Sequence, residues 1–147
     1  MIYIGIDPGQ SGALAVLDDS GIAYSLPFDE TDYVEELSKY RSDKVQARCV
    51  VENVHAMPKQ GVSSSFNFGR NLGWILGVLA GLGIPVELVN PQKWKKEFSC
   101  TSDKNTSISV ARRMFPNVSL KPTPRCRKDN DGMAEALLMA EYCRRHN

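Results

Sequence analysis

The chain has 147 residues, 42% apolar and 24% charged, with a net charge of +1. These proportions exclude a disordered, collagen-like or low-complexity protein, and the length suits one domain that buries roughly two thirds of its unfolded surface without staples. The four cysteines, at 49, 100, 126 and 143, have no Cys-x-x-Cys spacing, and His55 and His146 complete no zinc pattern. Free thiols, and an opening run MIYIGIDPGQ that reads as a buried strand rather than an export signal, lead to the expectation of a cytoplasmic protein. The longest apolar stretch, Leu72 to Val86, has 15 residues and four glycines. A bilayer span needs ~20, so no membrane segment is expected.

Residues 2–7 and 12–18 are apolar runs split by Pro8-Gly9-Gln10-Ser11, and Asp19-Ser20-Gly21 precedes a third run at 22–26, a pattern that predicts an antiparallel meander. A helix with an acidic first turn follows, for which Thr31 is the expected cap. Residues 48–54 form a buried strand carrying one out-of-place carboxylate, Glu52. From 65 to 82 the periodicity is helical, with Gly69, Gly73, Gly77 and Gly81 recurring every fourth residue. Each glycine costs about 1 kcal/mol of helix propensity, so the stripe is expected to lie close against the sheet or another helix. Residues 84–89 are a further strand, and Pro91 opens a basic helix through Phe98. Ser102 or Asp103 caps another to Phe115, a Pro- and Arg-rich loop covers 116–128, and a last helix runs from about Asn130 to Arg145. The succession predicts a single α/β domain over residues 1–147 with a mixed five-stranded sheet flanked by helices.

Asp7 ends the first strand, immediately before Pro8-Gly9, and Glu52 sits near the end of Cys49-Val50-Val51. Strand carboxyl ends are where α/β sheets bind ligands, and a carboxylate in such a run is expensive to bury unless a cation or strong donors compensate. Asp131 and Glu135 stand four residues apart on the last helix, so they share a face near its positive dipole end. Four mutually repelling acids suit hard divalent cations, and two Mg²⁺ ions can activate water and stabilise the leaving oxygen of a displacement at phosphorus.

The stretch IGIDPGQSGALAVL, the strand VVENVHAMPKQG and the ending KDNDGMAEALLMAEYCRR together resemble the RuvC-type Holliday-junction resolvases of the ribonuclease H-like superfamily, especially their short phage-like members. The resemblance covers nearly the whole chain. It implies a ribonuclease H-like fold and catalytic, metal-binding roles for Asp7, Glu52, Asp131 and Glu135, with Mg²⁺ as cofactor and Mn²⁺ able to substitute. Here the last acid is Glu rather than the commoner Asp, spaced four residues from Asp131 instead of three. The implied activity is metal-dependent hydrolysis of four-way DNA junctions by paired nicks. A symmetric junction cut twice calls for a homodimer, and the glycine-striped helix with Phe66, Phe68, Trp74 and Ile75 is a candidate interface.

Charge distribution agrees with a nucleic-acid partner. Residues 1–52 hold ten acids against four bases, whereas residues 91–128 hold ten bases against Glu97 and Asp103. Such a basic half suits a phosphate backbone, and Lys93, Lys95, Lys96, Lys104, Arg125, Arg127 and Lys128 are its candidate contacts. The resemblance places Lys95 or Lys96, and Lys104, near the scissile phosphate. It also makes residues 55–60 a wedge loop in which His55 stacks on a base and Lys59 meets phosphate. Competing readings are cleavage of other branched DNA, junction binding without cleavage, and an actin-like ATPase domain suggested by IGIDPGQSG.

Overall fold

The computed structural model describes residues 1–147. β1 (Ile2–Asp7), β2 (Ala13–Asp18) and β3 (Ala23–Pro27) make the expected antiparallel meander. After α1 (Glu30–Ser38), β4 (Ala47–Glu52) runs parallel to β1. After α2 (Val62–Gly81), β5 (Val86–Val89) runs parallel to β4. The five strands lie in the order β3-β2-β1-β4-β5. α3 (Pro91–Glu97), α4 (Lys104–Met114) and α5 (Asp131–Arg145) complete the chain. None of these helices is long and apolar enough to cross a membrane.

The side-chain alternation of strands divides the core into two layers. Ile4, Ile6, Leu14, Val16, Cys49 and Val51 face α1 and α2, where Tyr33, Leu37, Ile75 and Leu79 cover them. Tyr3, Ala13, Ala15, Leu17 and Val50 face the other way, toward α5, with Trp94, Phe98 and Ala111 beside it. The α5 helix is buried continuously from Gly132 to Cys143. Burial of each large apolar side chain, such as Leu137 or Met139, contributes about 1.5–3 kcal/mol. Its close seat on the sheet depends on Gly5, because a Cβ there would collide with the backbone of Ala136 and Ala140.

Two expectations are corrected and one open choice is settled. Asp29, not Thr31, caps α1, accepting from the Asp32 N–H at 2.9 Å; Thr31 lies already inside the first turn. Asp103 rather than Ser102 caps α4, accepting from the Asn105 N–H at 2.9 Å. The glycine stripe of α2 does not press against the sheet: Gly69, Gly73, Gly77 and Gly81 each face open space. Ile75 and Leu79 on the opposite side of that helix make the sheet contact, so propensity was sacrificed on a face that nothing in the chain covers.

Candidate active site

Alternation sends Asp7 to the same side as Tyr3, and Glu52 to the same side as Val50, so both carboxylates project toward α5. Ile6 is paired with Val51 in the parallel ladder, which leaves Asp7 and Glu52 side by side at the ends of adjacent strands. Asn130 caps α5 by accepting from the Met133 N–H at 2.9 Å and so sets the start of the helix that carries Asp131 and Glu135. A Cβ at Gly132 would meet the carbonyl oxygen of Ser11 at 2.5 Å, so that first turn rests directly on the β1–β2 connection. One cavity of about 670 Å³ is lined by all four acids together with Lys95 and Lys104. Its remaining walls are the Pro8–Gly12 turn and the α2 residues Ser64, Asn67, Phe68 and Asn71.

The electrostatics are those of crowded anions. Burial, and then the nearby charges of Glu135 and Glu52, push the Asp7 carboxyl well above the ordinary range, with Lys104 opposing. Burial also raises Glu52, offset in part by the Trp94 indole N–H, which donates to Oε2 at 2.9 Å. Lys104 lies 2.8 Å from Asp131 Oδ2, and that partner holds its ammonium above the usual lysine value. Lys95 stands 3.5 Å from Glu135 Oε1, and the buried Ser107 hydroxyl donates to the same oxygen at 3.4 Å.

As placed, no three of these acids stand close enough together to chelate a common ion; the nearby ammonium groups supply their counter-charge. The donor set itself is all carboxylate, the oxygen chemistry that divalent Mg²⁺ or Mn²⁺ prefers, and the Asp7 carboxyl stays raised despite Lys104.

Of the candidate nucleic-acid contacts, only Lys95 and Lys104 line this cavity. His55 and Lys59 are exposed on the connection from β4 to α2, while Lys96, Arg125, Arg127 and Lys128 are exposed elsewhere. Lys93 leaves α3 on a different side and lies 6.0 Å over the Tyr142 ring. Trp94 and Ser107 were not foreseen. A tryptophan amid lysines reads as an ordinary core anchor, and a serine inside a helix carries no local sign of the carboxylate it meets across 28 residues of sequence.

No family model and no curated protein sequence matches the chain. Solved structures do. The Thermus thermophilus RuvC structure aligns over 99% of this chain and 97% of its own, at 21% identity and a TM-score of 0.62. T. thermophilus RuvC in complex with Holliday junction substrate aligns over 99% and 96%, also at 21% identity and a TM-score of 0.62. At this identity the likeness speaks for architecture, and it agrees with the strand order and helical layers described above: the chain has a RuvC-like, ribonuclease H-like fold.

Proposed function

We propose that this protein is a metal-dependent, structure-selective endonuclease that cuts four-way DNA junctions by paired nicks. The reading rests on one observation: Asp7, Glu52, Asp131 and Glu135 line a single open cavity with Lys95 and Lys104 at its rim. The four acids are its catalytic and metal-holding residues. Divalent ions bound there would supply water activation and charge stabilisation at the leaving oxygen. Trp94 and Ser107 hold the Glu52 and Glu135 carboxylates in place. Lys95 and Lys104 offer the positive charge that a phosphate needs to approach four anions. The exposed Lys96, Arg125, Arg127 and Lys128 extend that attraction along the DNA arms, and His55 and Lys59 meet the junction from the β4–α2 connection. The junction preference is supported by the fold shared with the T. thermophilus RuvC–Holliday junction complex.

Paired cuts call for a homodimer, and the outer face of α2 is the surface offered for it. Val62 is 88% and Phe66 70% exposed, and the four glycines beside them would allow close backbone approach. Incubating the protein with a synthetic four-way junction and Mg²⁺, beside Asp7→Asn, tests the activity. Symmetric nicks by wild type alone are expected; a junction bound yet left intact by both proteins overturns the reading.

A further inference from the structure

One face of α2 changes character along its length. Helical spacing puts Ser64, Asn67, Phe68, Asn71, Ile75 and Leu79 on the inward side. The later part of that face is apolar: Ile75 and Leu79 are buried against the sheet. The earlier part overhangs the carboxylate cavity, and there the side chains are a hydroxyl, two amides and a single aromatic ring. Phe68 is the only aromatic residue that lines the cavity.

A wall serving only phosphate would be basic, and a wall serving only cations would be acidic. This one is uncharged. An amide presents a donor and an acceptor side by side, the complement of a nucleobase edge. Asn71 is the most telling residue, because its Nδ2 is buried with no hydrogen-bond partner within the protein. It lines both the carboxylate cavity and a small adjoining one beside Gln10 and Trp74. Packing gains nothing from such a group, and a buried unpaired donor is costly to keep. The wall is also tied to the catalytic turn: a Cβ at Gly9, two residues beyond Asp7, would lie 3.7 Å from Phe68 Cε2.

We infer that Asn67, Phe68 and Asn71 form a nucleoside-binding wall that sets the nucleotide preference of the cut. The Phe68 ring packs against the base or sugar next to the scissile phosphate, and the two amides read the base's hydrogen-bonding edge. This inference rests on the nuclease reading above and goes beyond it by naming which base-facing groups decide where the strand is cut.

The test uses the full chain and a pool of four-way junctions randomised around the crossover. Cut ends formed in Mg²⁺, and the bound fraction in Ca²⁺, are sequenced for wild type and Asn71→Leu. Wild type should favour particular nucleotides beside the cut. Asn71→Leu, which keeps the branched shape and removes the amide, should flatten that preference by about tenfold, the scale of one base-edge contact. An unchanged profile in the variant, or no preference in wild type, overturns the inference. If wild type binds junctions without cutting them, the nuclease reading fails by itself and the bound fraction decides. Enrichment lost in the variant then supports the wall, and enrichment retained overturns it. If wild type neither binds nor cuts, both fail. Should Asn71→Leu not fold, Asn67→Leu, at an exposed position, carries the same readouts.

Discussion

The indole of Trp94 donates to Oε2 of Glu52 across 2.9 Å, and Trp94 is fully buried while Glu52 is 9% exposed. A short basic helix thereby reaches into the carboxylate site through its one large apolar residue, and the same helix turns Lys95 toward Glu135.

Replacing that donor should show both roles. Trp94→Phe leaves an aromatic ring but removes the hydrogen bond that opposes the upward shift of Glu52. A loss of about 1–3 kcal/mol is expected from the missing bond and the smaller ring. The loss should be larger at pH 7 than at pH 4, because the bond is stronger to the ionised carboxylate. Urea denaturation of both proteins at the two pH values checks this; an equal loss at each would assign the effect to packing alone.

Asp7→Asn is expected to abolish cleavage yet stabilise the metal-free protein at neutral pH. The Asp7 carboxyl is raised in the folded state, so its proton is held more tightly there than in the unfolded chain. Its favourable contribution is therefore complete below the unfolded value, ~3.9, and is lost as pH climbs through the folded value. Asparagine carries no such loss. Melting temperatures should show the variant above wild type at pH 7, with the gap closing toward pH 4; saturating Mg²⁺ should narrow it by stabilising wild type selectively.

Lys104 is 70% exposed and lies 2.8 Å from Asp131. Exposure makes it a poor stabiliser of the fold but leaves it free to meet phosphate. Lys104→Gln should leave the melting temperature within about 2 °C and reduce junction cleavage by about ten- to a hundredfold. The salt dependence of binding should lose about one unit of slope. Binding titrations across a range of NaCl concentrations would detect that change, and an unaltered slope would remove Lys104 from the phosphate contacts.

A charge on the outer face of α2 should separate the subunits. Phe66 is 70% exposed, so Phe66→Lys carries no folding penalty of consequence. Sedimentation equilibrium should give twice the chain mass for wild type and the single chain mass for the variant, with paired cuts replaced by single nicks. A wild-type protein of single chain mass at 100 µM would rule out this face as a stable dimer contact.

The antiparallel meander, the α/β class and the four acids that gather in one cavity are legible along the chain. Those features are written in local chemistry: period-two apolar runs, Asp7 before a Pro-Gly turn, Glu52 within an apolar strand, and Asp131 and Glu135 one turn apart. What surrounds them is set by packing between distant segments. Trp94 and Ser107 meet their carboxylates across 42 and 28 residues, a pairing that no local pattern records because it is set by how α3 and α4 pack beside the sheet. The glycine stripe failed as a guide for the same reason. Spacing shows that four glycines share a face, but whether that face touches the sheet or open space depends on which side Ile75 and Leu79 turn inward.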